Sequence, residues 1–491
     1  MRNIQLTICF FFSAIALLSA QEPATTYQKK VLENVEVALL MSYYQQDGSN
    51  AAVTGGIGTE KLTDITPTIV LKIPLNANDV LTADIGISAY TSASSSNLDP
   101  FDASGASGNG DDDDDRFDDD DDDDDDEGGG AITGTPWLAS SGASKEDIWF
   151  NSNIKYSHSS DDRNTVVGGN VSFSQEYDYV SVGFGANILK LYNEKNTEIG
   201  LSTTVYLDTW KPKYPTEIDS YLEVNGDLND GFFATIDILD QNGLAIDKDG
   251  PTVWAPHGSG LIPRKDRKTF SASFSFSQIL SKNAQISFFV DFVKQEGWLA
   301  NPMQRVYFSD KANYYVGNGE SISMYTSPTN TDVFHLADDI ERLPTSRVKI
   351  PIGTRFNYYI NENLVLRSYY RYYTDNWGIA AHTIDLELPI KWQMGAYTVY
   401  PSYRYYTQTA ATYFAGYNQH LSTSEYYTSD YDLSQFKSQQ YGLGFKYTDI
   451  FGKLKIFKFG LKSVDFRYSY YHRTNGLQSG IVSTGLQFVM D

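Results

Sequence analysis

Apolar and polar residues alternate along much of this chain. The clearest alternation lies in segments 81–89, 270–277, 286–292 and 383–392. A period of two residues is that of a β-strand with one apolar and one polar face. Similar segments start near Val35, Thr66, Ile148, Val167, Val180, Ile199, Val348, Leu364, Tyr397, Tyr441, Val464 and Val482. Together these segments predict about sixteen strands, with fourteen as the alternative.

The connections between the segments differ in length. Short stretches rich in Asn, Asp, Ser and Gly lie at 76–79, 159–164, 193–196, 281–283, 361–363 and 393–395. Long stretches lie at 47–60, 93–146, 211–267, 297–346 and 409–437. In an up-and-down sheet all the short stretches fall on one side and all the long ones on the other. Tight turns at one end and long loops at the other are typical of transmembrane barrels.

The predicted fold is therefore all-β, a transmembrane antiparallel up-and-down β-barrel in the bacterial outer membrane. Both termini are expected in the periplasm and the long loops outside the cell. A secreted β-sandwich or propeller is the structural rival, but it does not explain the one-sided loop lengths, and no repeat of propeller length is visible. The 36 Tyr and 27 Phe cluster at strand ends such as 43–44, 369–373 and 403–406. We interpret them as girdles at the membrane interface rather than as a binding platform.

Residues 1–20 have the features of a secretory signal peptide. Arg2 precedes a short apolar run, and small residues before Gln21 offer a cleavage site. The run is shorter than the roughly 20 residues that a spanning helix needs. Cys9, the single cysteine, lies in this segment, so the predicted mature chain, residues 21–491, contains no thiol and no disulfide.

An acidic block lies within the predicted outer loop 93–146. It carries 14 Asp and one Glu against one Arg, so it supplies −14 of the net charge of −24. Clustered carboxylates repel one another and stay in water. Such a loop is either merely solvated, or captures Ca²⁺ or another divalent cation at low affinity, or docks a basic partner. The cation candidates are Asp111, Asp112, Asp113, Asp114, Asp115, Asp118, Asp119, Asp120, Asp121, Asp122, Asp123, Asp124, Asp125, Asp126 and Glu127, with Asp227, Asp247 and Asp249 in a further outer loop.

The polar faces of the predicted strands define the lumen. Those of the first half carry Gly, Ser, Thr and Asn, whereas those of the second half are basic and are interrupted by a few carboxylates. Adjacent strands are expected to form a cross-strand charge ladder, which either braces the wall or selects anions. The candidates are Arg347, Arg355, Arg367, Arg371, Asp385, Glu387, Lys391, Arg404 and Arg467.

Catalytic motifs are weak in this sequence. The six His residues lack the spacing of a metal site, and neither a phosphate-binding loop nor a nucleophile elbow is visible. We therefore expect no enzymatic activity. A barrel enzyme remains an alternative, and it would depend on His382 or Asp385.

Several segments resemble an uncharacterised family of bacterial outer-membrane barrels with an Asp-rich loop. They are 341–347 (ERLPTSR), 369–378 (YYRYYTDNWG) with His382, 401–408 (PSYRYYTQ), 176–179 (EYDY), and 91–96 before the acidic loop. The resemblance covers most of the mature chain. It implies a barrel whose transported substrate is not established. Genes that neighbour those of the family also suggest a periplasmic redox protein or a small lipoprotein as partner. The chain departs from many barrels in ending with Val489, Met490 and Asp491 after Phe488, which puts the docking of the last strand in question.

Two main functions fit these patterns. The first is a porin-like channel or transporter with a basic lumen wall and a cation-attracting outer loop. The second is a structural or docking barrel with a plugged lumen, for example one filled by residues 297–346. Lipids of the outer membrane are expected partners in both cases, and nucleic acid is not.

Overall fold

Sixteen antiparallel strands form one closed barrel in the computed structural model, which describes residues 30–92, 147–258, 265–325, 332–450, 452 and 454–490. The strands are β1 (Glu36–Asp47), β2 (Leu62–Pro74), β3 (Asp79–Ser92), β4 (Asp147–Ser159), β5 (Thr165–Gln175), β6 (Tyr179–Tyr192), β7 (Thr197–Trp210), β8 (Lys265–Ser281), β9 (Ala284–Gly297), β10 (Ser346–Asn361), β11 (Leu364–Asp375), β12 (Ala380–Glu387, resuming at Ile390–Trp392), β13 (Tyr397–Gln408), β14 (Phe436–Thr448), β15 (Phe459–Arg473) and β16 (Gln478–Met490). This confirms the predicted fold and the count of sixteen.

The barrel closes between its first and last strands. β1 pairs with β16 in a continuous antiparallel register from Glu36 opposite Val489 to Asp47 opposite Gln478. The last strand is therefore fully paired, although the chain does not end on an aromatic residue. Closure leaves no strand edge in the wall, which is the general requirement for a sheet that crosses a membrane.

β12 is the strand that departs most from the sequence prediction. The alternation at 383–392 predicts one continuous strand, but the ladder is interrupted at Leu388 and Pro389. Proline has no amide hydrogen to donate to a neighbouring strand. The register is kept across the gap, since Arg367 opposes Glu387 and Leu364 opposes Ile390.

The two ends of the barrel differ as predicted, and we call them the turn end and the loop end. The six predicted short turns all lie at the turn end, where β1 begins and β16 finishes. The five predicted long connections all lie at the loop end. Sequence analysis missed three short connections at the loop end, at 176–178, 376–379 and 474–477, and a longer one at the turn end, at 449–458.

The long connections contain their own secondary structure. Helix α1 spans Thr216–Glu223, and short strands lie at Ile238–Leu239, Arg305–Val306, Tyr315–Gly317, Val333–His335 and Asp339–Ile340. No helix within the described ranges is long and apolar enough to cross a membrane. The acidic block at 111–127 lies outside the described residues.

Large apolar side chains project outward all around the barrel. Exposed examples occur on nearly every strand and include Leu39, Ile69, Ile87, Ile154, Val171, Phe184, Leu201, Phe274, Phe288, Ile352, Ile384, Leu443 and Phe466. Neighbouring residues on a strand point to opposite faces. Each Tyr-Tyr pair therefore sends one ring in and one out: Tyr43 is exposed whereas Tyr44 is buried, and Tyr470 is exposed whereas Tyr471 is buried. The girdle interpretation thus holds for only one member of each pair.

Candidate functional site

Loops from opposite sides of the barrel meet across its loop end. Arg305, in the connection between β9 and β10, donates from Nη1 to the carbonyl of Val53, in the connection between β1 and β2, at 2.7 Å. In a barrel of sixteen strands these two connections lie on opposite walls. Arg305 also holds Glu217 of α1 through two bonds, Nε to Oε1 at 2.7 Å and Nη2 to Oε2 at 2.9 Å. Three connections are therefore tied together over the mouth, and we call this loop assembly, the described residues 48–61, 211–258, 298–325, 332–345 and 409–435, the cap.

Two glycines allow the close approach of the loops in the cap. Gly55 and Gly56 both have positive φ angles, 79° and 92°. A Cβ at Gly55 would lie 2.5 Å from the ring of Tyr307, and one at Gly56 would lie 2.9 Å from the carbonyl of Ser429. Both positions therefore require glycine, for conformation as well as for space.

The cap has an apolar core that continues into the barrel. Leu228, Phe233, Ile238, Trp254 and Leu336 form a buried cluster within the loops. A second buried cluster joins loop residues to inward-facing residues of β11–β14 and comprises Leu299, Tyr373, Trp377, Ile379, Ala381, Tyr406, Ala411, Leu433 and Phe436. The loops therefore descend into the mouth and pack on the wall from inside.

Carboxyl groups are buried in the cap. Burial raises the pKa of Glu341 to about 7, although the backbone amide of Asn301 donates to its Oε2 at 2.6 Å. Burial likewise raises the pKa of Glu60 to about 6 and that of Asp338 to about 6. In each case the low-polarity surroundings disfavour the charged form. Burial therefore shifts the titration of these three carboxyls upward, and that of Glu341 into the neutral range.

A buried histidine lies at the centre of the cap. The ring of His335 stacks between those of Tyr307 and Tyr315, with centroids 4.3 and 4.6 Å away. Its Nδ1 is 2.5 Å from the hydroxyl of Tyr417. Burial lowers the pKa of His335 to about 3, so the ring is neutral and acts as part of an aromatic stack.

Buried arginine–aspartate pairs line the inner wall at the loop end. Arg267 on β8 bonds Asp208 on β7 at 2.7 Å, and Arg347 on β10 bonds Asp375 on β11 at 2.5 Å. Arg473 on β15 bonds Asp432 of the cap. All six side chains are nearly inaccessible to solvent. The wall is therefore braced, and filled by the cap, at this level.

Arg347, a candidate either for bracing the wall or for selecting anions, is buried on the inner face at the loop end. Its guanidinium is held by Asp375 and lies 4.2 Å from the ring centroid of Trp377. Both partners belong to the segment 369–378. A side chain held in this way braces the loop end, so we assign Arg347 to the support of the cap.

Further toward the turn end, the inner wall is accessible. Arg367 on β11 lies 3.3 Å from one oxygen of Glu387 on β12, and Arg467 on β15 lies 3.6 Å from the other. Glu387 is in register with Ser402 and Gly442, whereas Arg467 opposes Gly444. The small residues at 402 and 442 leave room for Arg467 to reach Glu387 across two strands. The Arg367 side chain is 41% exposed and that of Arg467 is 31% exposed. Because both face inward, solvent reaches the interior at this level.

The remaining sequence candidates lie on the same wall. Register places Arg355, Arg371, Lys391 and Arg404 on its inner face, and Asp385 directly opposite Arg404. One pair of the predicted cross-strand charge ladder, Arg367 with Glu387, is formed as an ion pair. This inner face also carries the basic residues Lys349 and Lys446 and the carboxylate Asp465.

Aromatic rings cover glycines on the inner wall, a feature that sequence analysis missed. Phe289 lies directly opposite Gly353, and Tyr400 directly opposite Gly444. A Cβ at Gly353 would lie 1.9 Å from the Phe289 ring, and one at Gly444 would lie 1.8 Å from the Tyr400 ring. The rings therefore fold over the neighbouring strand instead of projecting into the lumen. Only known strand register could have revealed this, because the partners are far apart in sequence.

The described acidic candidates do not converge on one point. Within the connection between β7 and β8, the Asn229 side chain donates to Asp249 at 2.8 Å and the Asn229 backbone amide donates to Asp227 at 2.9 Å. Asp247 accepts from the amide of Asp249. Within the described ranges no group of three or more His, Cys, Asp or Glu residues could hold a metal ion.

His382 and Asp385, the residues named for the enzyme alternative, lie on opposite faces of β12. His382 is on the outer face, where the hydroxyl of Tyr370 lies 2.9 Å from its Nδ1. Asp385 is on the inner face opposite Arg404. An odd separation of three residues along a strand imposes this arrangement. The two side chains therefore cannot act on one substrate atom.

The fold and its interior define a class: closed sixteen-strand β-barrels with a loop cap and a basic inner wall. The chain belongs to the family described as protein of unknown function (DUF3570), whose model matches residues 11–485. No curated protein matches the chain in sequence.

Several solved barrels are similar at low identity. A bacterial polysaccharide outer membrane secretin is 8% identical over 94% of this chain and 100% of that chain, with a TM-score of 0.40. The TodX deltaS2S3 mutant monoaromatic hydrocarbon channel is 8% identical over 94% and 91%, with a TM-score of 0.38. A BenF-like porin from Pseudomonas fluorescens Pf-5 is 8% identical over 93% and 98%, with a TM-score of 0.37. These similarities carry no conclusion about a solute or a mechanism.

Proposed function

We propose that this protein is an outer-membrane channel for anionic solutes, closed at its loop end by the cap. The observation that carries the proposal is the pair of inward-facing, solvent-accessible arginines, Arg367 and Arg467, on a wall where basic residues outnumber acidic ones. Rings or clusters of Arg and Lys in a pore favour anions over cations. The opposite wall, formed by β4–β8, is rich in Gly, Ser, Thr and Asn, and its buried Arg267–Asp208 pair adds no net charge.

The outer face supports placement in a membrane. Soluble monomers rarely expose contiguous apolar patches larger than a few hundred Å², yet large apolar side chains are exposed around this entire barrel. Lipid would cover them. With the predicted signal peptide at 1–20, the membrane is the outer membrane, the turn end and both termini face the periplasm, and the cap faces outward.

Ion selectivity tests the proposal. The mature chain would be refolded, its folded state checked by its heat-dependent electrophoretic shift, and the reversal potential measured in planar bilayers under a KCl gradient. We expect anion selectivity that falls severalfold in R367Q/R467Q. Lys195→Gln, at an exposed turn outside the lumen, is the matched control and should leave the selectivity unchanged. Cation selectivity in the folded wild type would refute the proposed role of the wall.

A second candidate function is a docking barrel that does not conduct. It is favoured by the cap, whose loops bond to one another across the mouth and pack on the inner wall. Its partner would be a periplasmic redox protein or a lipoprotein. Two results would favour this function over the channel. Folded protein would show no conductance in planar bilayers, and native purification would recover a partner in stoichiometric amount.

The acidic block has a separate role in the proposal. We place residues 111–127 in the outer loop between β3 and β4, where they would collect Ca²⁺ or another divalent cation at low affinity. Calcium titration by calorimetry, comparing the mature chain with a variant lacking 111–127, measures this directly. Equal heats in both proteins would leave the block as a solvated spacer.

A further inference from the structure

One connection at the turn end differs from most of its described neighbours. The turns at 76–78, 160–164, 193–196, 282–283 and 362–363 are polar and rich in Asn and Asp. The connection at 449–458 is longer, and its residues 450–458 contain three Lys, no acidic residue and the apolar residues Ile, Phe and Leu. Its end folds into a hairpin in which Lys455 opposes Gly460 and Ile456 opposes Phe459.

The tip of this hairpin presents a phenylalanine to the surroundings. Phe457 is 97% exposed and has a positive φ of 57°. Left-handed backbone is a genuine outlier for a bulky residue, and tight hairpin turns normally use glycine there. An exposed ring held in a disfavoured conformation indicates selection for something other than the stability of the turn.

The adjacent turn repeats the arrangement. Met394 is 84% exposed, also at a positive φ of 57°. The amide of Thr448 donates to the carbonyl of Ala396 at 2.9 Å, which joins the two connections side by side. Trp392, Met394, Leu454, Ile456 and Phe457, all exposed, form what we call the tip patch.

The tip patch continues the outer face of the wall. Trp392 stacks on Tyr397 with centroids 5.9 Å apart, and Tyr397 lies 6.2 Å from Phe445 on the outward face of β14. The Trp392 side of the tip patch is thus continuous with the outward apolar surface. Trp and Tyr at such a level are typical of a membrane interface.

Positive charge accompanies the tip patch. Lys455 and Lys458 are exposed beside the apolar residues. The nearby carboxylate of Asp449 is turned inward and accepts from the amide of Leu454 at 2.7 Å. Basic residues near a membrane surface are attracted to anionic headgroups.

We propose that the tip patch is a membrane-interaction surface that lies in the headgroup layer of a leaflet containing anionic phospholipid. This inference rests on the proposed placement of the barrel in a membrane. Its occupant is lipid rather than a protein because the patch is continuous with the lipid-facing wall, and because its charge is complementary to anionic headgroups. Tilting or local thinning of the bilayer would bring the hairpin into contact with the lipid.

Single-cysteine labelling tests this inference. The predicted mature chain contains no cysteine, so Phe457→Cys can carry one environment-sensitive fluorophore. Glu194→Cys is the matched control, since Glu194 is exposed at the tip of a polar turn at the same end and has the same φ of 57°. Both proteins would be reconstituted in phosphatidylcholine vesicles with and without phosphatidylglycerol, and quenched with aqueous acrylamide and with lipids labelled in the headgroup.

We expect the probe at position 457 to be quenched severalfold less by acrylamide than the probe at 194, and more by labelled lipid. Phosphatidylglycerol should enlarge this difference, and K455Q/K458Q should abolish the enlargement. Equal acrylamide quenching at the two positions in a folded, inserted barrel would overturn the inference. The tip patch would then be a candidate surface for a protein partner instead of lipid. That result would not affect the channel proposal, which depends on conductance.

Discussion

Removing Arg305 should open the cap. The Arg305 guanidinium joins the connection between β1 and β2 to α1, and is the link that spans the mouth. Burial by itself opposes the charge on Arg305, but the paired Glu217 carboxylate outweighs it and holds the pKa of Arg305 above its ordinary value. In Arg305→Ala, Glu217 stays buried without its partner, and the Val53 carbonyl loses its donor.

The size of the effect follows from the burial of this pair. Removing one member of a buried ion pair is destabilising by about 3–5 kcal/mol. Since 1.4 kcal/mol is a factor of ten, the ratio of open to closed cap should rise by about two to four powers of ten if opening exposes the pair to water. An exposed pair contributes about 0–1 kcal/mol, so Lys294→Ala, which breaks the exposed pair of Lys294 with Glu296, is a suitable control.

Two measurements would detect the opening. Amide hydrogen exchange of residues 211–258 should accelerate in R305A and not in K294A, and single-channel recordings should show longer openings. Glu217→Ala should act in the same direction. At acidic pH R305A should recover in part, because the stranded carboxyl can take up a proton, whereas E217A leaves a guanidinium that stays charged. The double variant R305M/E217L should be closer to wild type than either single variant.

Unchanged exchange in the cap of R305A would refute this reasoning, because it would mean that the link does not hold the loops together. Equal damage in K294A would point to a general loss of folding instead. Identical pH dependence of R305A and E217A would show that the stranded charge is not the source of the effect.

Three further predictions concern other parts of the molecule. Because the pKa of Glu341 is raised to about 7 in the closed cap, protonation favours closure. The protection of cap amides, taken relative to their intrinsic exchange rates at each pH, should therefore be greatest near pH 5 and fall as the pH rises toward 7, and E341Q should remove its share of this dependence. In Gly353→Val the Phe289 ring should be displaced into the lumen, which should lower single-channel conductance without unfolding the barrel. Deleting residues 111–127 should leave the electrophoretic shift of the folded barrel unchanged, and a loss of that shift would contradict the assignment of the block to a loop.

Sequence was sufficient for the wall of the barrel. Alternation in segments such as 270–277 is strictly local, so sixteen strands and two unlike ends could be predicted without any contact information. The same alternation would have corrected the view of the tyrosines, because two adjacent tyrosines, as at 43–44, cannot share a face. Proline at 389 likewise predicts a break in the hydrogen-bond ladder of β12, which the apolar pattern alone does not indicate.

The cap could not be predicted in this way. Arg305 and Val53 are distant in sequence, and nothing in either local pattern indicates the other. Arg347 was correctly expected on the inner face, but its burial depends on Trp377 and on loops that pack from above. The exposure of Arg367 depends on how far those loops descend. Packing of irregular loops decides which basic residues meet solvent, and this packing leaves no periodic signal.

The seam between β1 and β16 sets the order of events in assembly. Residues Glu36 and Val489 are partners, so the first strand of the chain must wait for almost the last residue before its edge is covered. Hairpins between neighbouring strands can form early, but every intermediate short of closure keeps two open strand edges that can pair with other chains. Truncation within β16 would therefore produce an aggregation-prone sheet rather than a slightly smaller barrel. Those two edges stay open to other chains until β16 has paired with β1.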